Sequence, residues 1–284
     1  AMYGKRISWL NKQSNSSKPE LKKIVLFDMD GTITLPRQEF DMSLYEVFSD
    51  LAQKSQIGIV TGSDVDYLFE QLSVLLDTKI GSKIHLLPCN GTKHFSPSKK
   101  FGEKHQLVHS NNMREQIGEQ NFKNIMMTLL AKQNNIQPHP PTLPLTGHFI
   151  SYRGSMINWC PIGRNASDED RKKFIEYDSS RTPSYRLILL DSLKERFALD
   201  GLSDLIDIKL GGDTSFDIYP KSWDKTYALK HFPNWETWFV GDRCGPNGND
   251  KEIYDSLQIN NRSFETKDTK NTGLIIKEKI LPNL

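Results

Sequence analysis

The chain is 284 residues long, with 37% apolar and 25% charged side chains. That is room for two domains at roughly 100–200 residues each, and enough apolar content to give each a core. No apolar run approaches the ~20 residues that cross a bilayer, which argues against a membrane protein, and the composition is neither fibrous nor disordered. A net charge of +2, from 37 basic and 35 acidic side chains, is too weak a field to draw in nucleic acid by long-range attraction.

The first 23 residues hold six Lys or Arg and one acid, Glu20, without the apolar stretch of a signal peptide, and read as a flexible basic tail. Three scattered cysteines, Cys89, Cys160 and Cys244, form no C-x-x-C pair and read as reduced thiols of a cytoplasmic protein.

From Ile24 the pattern becomes regular. Ile24-Val25-Leu26-Phe27 is a short apolar run closed by Asp28, the signature of a strand buried on both faces of a parallel sheet. Phe40, Leu44, Val47, Phe48 and Leu51 then follow at helical spacing. A second strand, Ile57 to Val60, ends at Thr61, and Val65, Leu68, Phe69, Leu72 and Leu75 repeat the helical stripe. A third strand, Ile84 to Leu87, stops at Pro88-Cys89-Asn90-Gly91. This β-α-β-α rhythm predicts a Rossmann-like α/β core with a parallel sheet, in which ligands collect beyond the carboxyl ends of the strands.

After Gly91 the rhythm changes. A helix is expected over Arg114 to Leu130, then a Pro-rich loop from Gln137 to Pro144. Paired strands follow from His148 to Tyr152 and from Met156 to Cys160 around a Gly154-Ser155 turn. After Trp223 the first rhythm returns, with a helix near Asp224 to His231 and a strand from Thr237 to Val240 closed by Gly241-Asp242. The expected organisation is a discontinuous core domain, residues 24–91 and 220–284, with an inserted α+β cap domain at 92–219. His105 and His109 stand four apart, as a metal pair on a helix would, but no third ligand is arranged around them and they read as a solvated cap segment.

Asp28-Met29-Asp30-Gly31-Thr32 places two carboxylates at the end of a buried strand. A calcium loop is the rival reading: Glu39 falls at the twelfth position, but Ile33 stands where such a loop needs glycine, and the preceding segment is strand-like. Simple capping by the two acids accounts neither for Asp242 at the end of another apolar strand nor for Thr61 at the end of a third. At an effective dielectric of about 20, a phosphate dianion about 4 Å from a carboxylate costs roughly 8 kcal/mol, so a phosphate ligand there calls for a divalent cation. Hard oxygen donors without His or Cys nearby favour Mg2+. Asp28 is then a nucleophile toward phosphorus, and Lys225 is the candidate to neutralise the developing charge.

Taken in order, Asp28-x-Asp30-Gly31-Thr32, Thr61, Lys225 and Gly241-Asp242 resemble the signature of haloacid dehalogenase-like phosphotransferases. A narrower set resembles the eukaryotic-type phosphomannomutases: Phe27 to Thr34 with Pro36-Arg37-Gln38, Gly62-Ser63-Asp64, Asn90-Gly91, Met156-Ile157-Asn158, Pro161-Ile162-Gly163-Arg164, Gly211-Gly212 with Ser215-Phe216-Asp217, Trp223-Asp224-Lys225, and Gly248-Asn249-Asp250.

That resemblance implies that Asp28 becomes phosphorylated while Asp30 acts as general acid and base, with Lys225, Thr61 and Ser63 beside them. It implies Mg2+ at Asp28, the Asp30 carbonyl and Asp242, with Asn249 and Asp250 nearby. It makes Arg37, Asn90, Arg153, Arg164, Ser215 and Asp217 the contacts to a small-molecule sugar phosphate, and implies a homodimer through the cap. The implied reaction interconverts mannose 6-phosphate and mannose 1-phosphate through an aspartyl phosphate and a hexose 1,6-bisphosphate, supplying GDP-mannose synthesis; a Mg2+-dependent sugar phosphatase is the alternative.

The chain departs from the family pattern at four places: Thr146 stands for an arginine, Cys89 for a glutamate, Asp213 for a glutamine, and Arg243-Cys244 for Lys-Thr. Loss of a charge-assisted contact at Thr146 is expected to cost roughly 10- to 150-fold in rate unless another basic residue supplies it.

Overall fold

The structure is a computed structural model that describes residues 18–35, 37–136 and 143–284. The expected basic tail lies mostly outside these residues, as does most of the Pro-rich loop.

The core is a seven-stranded sheet flanked by helices. In chain order its first half comprises β1 (Lys23–Phe27), α1 (Tyr45–Lys54), β2 (Gln56–Val60), α2 (Val65–Leu76), β3 (Ile84–Leu87), β4 (Lys93–Pro97) and β5 (His105–Ser110). The continuous apolar run of β1 divides between two cores, with Val25 and Phe27 facing Phe48 and Leu72 on one side and Ile24 and Leu26 facing Phe232 and Phe239 on the other. Asp64 caps α2, its carboxylate accepting from the Val65 N–H at 2.7 Å, which favours the helix start both by pairing a free donor and by opposing the helix dipole.

The inserted domain follows as α3 (Met113–Ile117), α4 (Glu119–Asn134), β6 (Ile150–Tyr152), β7 (Ile157–Trp159), α5 (Asp168–Ser179), α6 (Tyr185–Leu199), β8 (Ile206–Gly211) and β9 (Ser215–Pro220). Its four strands form an antiparallel sheet in the order β6-β7-β9-β8. Alternation along β7 and β9 buries Ile157, Trp159, Phe216 and Ile218 against the helices and turns Asn158, Ser215 and Asp217 to the opposite face. The single helix expected over Arg114 to Leu130 is two, broken at Gly118 (φ 85°, ψ 153°).

The chain re-enters the core through a 3-10 turn, Lys225–His231, and closes it with β10 (Glu236–Gly241), α7 (Lys251–Gln258), β11 (Ser263–Glu265) and α8 (Thr269–Ile275). The sheet order is β11-β10-β1-β2-β3-β4-β5, parallel from β11 to β3. Strand β1 therefore sits where the winding reverses direction, and the crevice at such a reversal lies at the strands' carboxyl ends.

One boundary differs from the sequence reading. The insert was expected to open at residue 92, but β4 and β5 pair antiparallel onto β3 and extend the core sheet. The crossing into the cap falls instead between Ser110 and Met113. These strands carry little apolar alternation because they lie at the sheet's margin, so periodicity did not mark them. His105 and His109 accordingly lie on a strand and not on a helix: His105 bonds the Ile84 carbonyl, and His109 the Tyr227 hydroxyl.

The same region holds a histidine array. His85 Nε2 donates to Gln56 Oε1 at 2.6 Å, which leaves its Nδ1 to accept from His94 Nε2 at 2.9 Å. His94 stacks 4.6 Å from His231, and His231 lies 5.0 Å from His109. Burial first, and then neighbouring rings, push His85 down to about 4 and His94 down to about 3. Both histidines are thus neutral when folded and titrate near ~6.5 when unfolded. Their contribution to stability is complete above that value and is lost as pH falls toward 4. The thermal midpoint should fall more steeply between pH 6.5 and 4.5 in the wild type than in His94→Gln; parallel slopes in scanning calorimetry would contradict this.

Candidate active site

Strand ends deliver the acids. Asp28 follows β1, its N–H donating to the Val240 carbonyl of the adjacent β10 at 2.9 Å, and Asp242 directly follows β10. Beside Asp28 lies Lys225, 1% exposed, whose ammonium donates at 2.6 Å both to Asp28 Oδ1 and to Asp250 Oδ1. Burial works against that charge, but the carboxylates of Asp250 and Asp28 outweigh it and hold the lysine above its ordinary value. The second oxygen of Asp250 accepts from the Arg243 N–H at 3.1 Å. Both its oxygens are engaged, and its role is to anchor the lysine.

Oxygen atoms of Asp28, Asp242 and Asp250 lie within 4.8 Å of one another. Burial and the facing Asp28 charge push Asp242 up to about 9, the state of two carboxylates that need a proton or a cation between them. Asp242 Oδ1 and Asn249 Oδ1 are buried with no hydrogen-bond partner. Gly31 (φ +77°) closes the cradle: a Cβ there would stand 2.2 Å from Asp242 Oδ2, so any side chain would displace that carboxylate. Orphaned hard oxygens grouped this way fit a divalent cation.

Asp30, two residues on, faces the cavity. Its Oδ1 accepts from Tyr67 Oη at 3.1 Å and from Thr34 Oγ1 at 3.3 Å. Burial, and then the charge on Asp28, push its carboxyl up to about 6. Thr61 and Ser63 line the same cavity, with the Thr61 hydroxyl accepting from the Ser63 N–H at 3.1 Å. Tyr67 also accepts from the Arg37 N–H at 3.0 Å; sequence reasoning passed over it because it sits within an ordinary amphipathic helix.

The cavity, about 470 Å³, is walled on its far side by the insert. Asn158 is its organiser, with its amide nitrogen donating to Ser215 Oγ and to Asp217 Oδ1, each at 2.9 Å, and its oxygen accepting from the Arg164 guanidinium at 2.5 Å. Arg153 reaches across to donate to the Gly62 carbonyl of the core at 2.8 Å. Arg37 crosses in the other direction, to the carbonyls of Ala166 at 3.2 Å and Arg164 at 3.3 Å. Arg171 and Arg243 also line the space, and neither was singled out as a site residue from sequence.

Asn90 departs from expectation. It does not line the cavity, and its amide braces the Trp223 carbonyl at 3.1 Å, two residues before Lys225. Thr146 likewise stays outside, its hydroxyl donating to the Ile162 carbonyl at 2.8 Å.

A parallel sheet that gathers acids and one buried lysine at its reversal point, roofed by an inserted domain, belongs to the haloacid dehalogenase-like class. Solved structures of similar fold include N-terminally truncated IMP-nucleotidase from Plasmodium falciparum (TM-score 0.60, 16% identity, covering 92% of this chain and 71% of that one) and SMU.1108c from Streptococcus mutans (TM-score 0.57, 13% identity, 90% and 98%). At such identities they speak for the fold alone.

Sequence relatives are more specific. The family model described as "Eukaryotic phosphomannomutase" matches residues 44–279. A protein named phosphomannomutase from Drosophila melanogaster is 35% identical over 259 residues, 87% of this chain and 92% of that one, and another from Arabidopsis thaliana is 33% identical over 247 residues, 86% and 92%. The chain belongs to the eukaryotic phosphomannomutase family.

Because Lys225 offsets two buried carboxylates, removing it leaves them unpaired. Lys225→Met should lower unfolding stability by about 3–5 kcal/mol, and Asp250→Asn added to it should recover part of the loss. A urea titration in which the double variant is the weaker of the two would refute this arrangement.

Proposed function

We propose that this protein interconverts mannose 6-phosphate and mannose 1-phosphate, supplying the 1-phosphate for GDP-mannose synthesis. The observation that carries the reading is the polarity of one cavity shared by the core and the insert. Its floor holds Asp28 and Asp30 over the acidic cluster, while Arg153 and Arg164 stand in its roof. A sugar with a phosphate at each end fits such a space, one end at the nucleophile and the other at the guanidiniums, whose planar forks suit phosphate oxygens.

Asp28, Asp242 and Asn249 would hold Mg2+ through side-chain oxygens, and Asp30 through its main-chain carbonyl. Bound there, the ion would offset the repulsion between phosphate and carboxylates. The Asp28 carboxylate oxygen attacks phosphorus, the bond from phosphorus to the sugar oxygen breaks, and Asp30 gives its proton to that leaving oxygen. In the return half-reaction Asp30 takes the proton of the attacking sugar hydroxyl, and the phosphoryl group passes from Asp28 to the sugar. Lys225, hydrogen-bonded to Asp28 Oδ1, holds that carboxylate in place. Ser215 and Asp217, oriented by Asn158, face the sugar. A hexose 1,6-bisphosphate would prime the cycle by phosphorylating Asp28.

Closure of the roof favours a mutase over a phosphatase, since water that reaches the aspartyl phosphate hydrolyses it. The Arg153 and Arg37 contacts tie the roof to the core and support such a closure, together with ion pairs from Arg243 to Asp213 and from Lys209 to Glu252. The exposed apolar residues Met127 and Leu130 of α4 and Ile188 of α6 support a homodimer through the insert, and the three buried free thiols support a reducing, cytoplasmic setting. Among the described residues no helix is long and apolar enough to cross a membrane.

The test is incubation with mannose 1-phosphate, Mg2+ and a catalytic amount of hexose 1,6-bisphosphate. Mannose 6-phosphate should accumulate, and Asp28→Asn should lower turnover by about 10⁴-fold or more; release of inorganic phosphate without 6-phosphate would favour the phosphatase.

The pH profile gives a second check. Attack on the phosphorylated enzyme needs Asp30 as a base, the form that prevails above about 6. The kcat/KM for mannose 1-phosphate should therefore rise with pH through an apparent value near 6, and Asp30→Asn should lose that limb along with roughly 10²- to 10⁴-fold in rate.

A further inference from the structure

Helix α2 opens beside the cavity, its start fixed by the Asp64 cap and by the ion pair from Lys93 to Asp64 at 2.8 Å. Tyr67, the third residue of that helix, is half-buried; it packs on the core and lines the cavity. Its hydroxyl makes two hydrogen bonds whose senses are fixed. The Arg37 N–H can only donate, so the phenol oxygen accepts it at 3.0 Å. The phenol proton is then left for Asp30 Oδ1, 3.1 Å away.

Thr34 Oγ1 donates to the same Asp30 oxygen at 3.3 Å, while Oδ2 has no hydrogen-bond partner among the described residues. Two donors on one carboxyl oxygen favour the arrangement in which the other oxygen carries the proton. An acid held this way offers the cavity one defined oxygen instead of two that exchange by rotation. Arg37 grips the phenol from a left-handed backbone (φ 60°), a conformation that persists only where its surroundings fix it. Its guanidinium meanwhile bonds the Ala166 and Arg164 carbonyls of the insert. The phenol is therefore held by a loop anchored in both domains.

We propose that Tyr67 is a positioning residue for the acid–base group: by donating to Asp30 Oδ1 it keeps the transferable proton on Oδ2, free for the sugar oxygen. This rests on the functional reading above. When the bond from phosphorus to the sugar oxygen breaks, the proton on Oδ2 passes to that oxygen, and in the return half-reaction Oδ2 takes the proton of the attacking hydroxyl. Tyr67 keeps its own proton throughout and acts only through the orientation of Asp30.

The test is a double-mutant cycle of Tyr67→Phe and Asp30→Asn, assayed with mannose 1-phosphate, Mg2+ and hexose 1,6-bisphosphate. Phenylalanine keeps the ring that packs on the core and removes only the hydroxyl. In the otherwise wild-type protein Tyr67→Phe should lower kcat roughly 10-fold, the loss of one hydrogen bond to the reacting group, with KM changed less than about 2-fold. In the Asp30→Asn background, where no proton is left to position, the same change should cost less than about 2-fold. Equal losses in the two backgrounds, the pattern of a merely structural residue, would overturn the proposal. So would a raised KM with kcat unchanged, which would make the hydroxyl a sugar contact instead. A wild-type protein that forms no mannose 6-phosphate would overturn the functional reading and this role with it, whereas additive losses in a working mutase would overturn only the role of Tyr67.

Discussion

A lysine buried between two aspartates holds this site together. Lys225 arrives from the second half of the discontinuous core, 197 residues after Asp28, and among the described residues its ammonium is the one side-chain cation hydrogen-bonded to the two buried carboxylates it joins. Without it, Asp28 and Asp250 would be like charges in a place that water does not reach, and the loops after β1 and β10 would repel one another. With it, the same acids fix the ends of adjacent strands in register. The site and the fold therefore share a constraint: Asp28 is hydrogen-bonded to the group that keeps the two halves of the core domain closed.

The roof depends on a second set of contacts, and here the chain's departures from its family pattern explain each other. Asp213 and Arg243, both unusual, form an ion pair in which the Arg243 guanidinium donates to Asp213 Oδ1 at 2.5 Å. That guanidinium also donates to the Gly212 carbonyl at 2.9 Å. Arg243 lies next to Asp242, and its own N–H holds Asp250. The hairpin turn between β8 and β9 is thereby tied to the acidic loop itself. A lysine at 243 would offer a point charge; the arginine offers a fork that serves a carboxylate and a carbonyl together. The pair transmits the position of the cap hairpin, which carries Ser215 and Asp217, to the loop that carries Asp242 and Asn249.

Much of this was legible in the sequence because buried parallel strands are continuous apolar runs and their ends are polar. Asp28, Thr61 and Asp242 announced themselves by closing such runs, and Asp30 and Lys225 followed from the chemistry those acids require. Other features had no such signature. Strands β4 and β5 are half-exposed and weakly patterned, so the boundary of the insert was set too early. Asn90 was expected as a substrate contact from the family resemblance, yet a left-handed backbone (φ 63°) turns its amide to Trp223. Tyr67 and Arg171 occupy helix positions whose facing direction only tertiary packing decides. Thr146 stood out as a missing contact, and the structure places it outside the cavity, bonded to the Ile162 carbonyl.

Charge along the cavity then explains why one site can serve both ends of a sugar. At the floor, Asp28, Asp30, Asp242 and Asp250 outnumber Lys225, so that end suits a phosphoryl group only with a bound cation to complete it. At the roof, guanidiniums outnumber nearby carboxylates and accept a phosphate dianion whatever carbon it hangs from. A bisphosphorylated sugar that lets go of the floor remains attracted to the roof, and the Arg153 and Arg37 contacts hold the cap over it while it turns. Reorientation in place of hydrolysis follows from that asymmetry: the roof must bind either phosphate without discriminating, and the floor must wait, dry, for whichever one comes round.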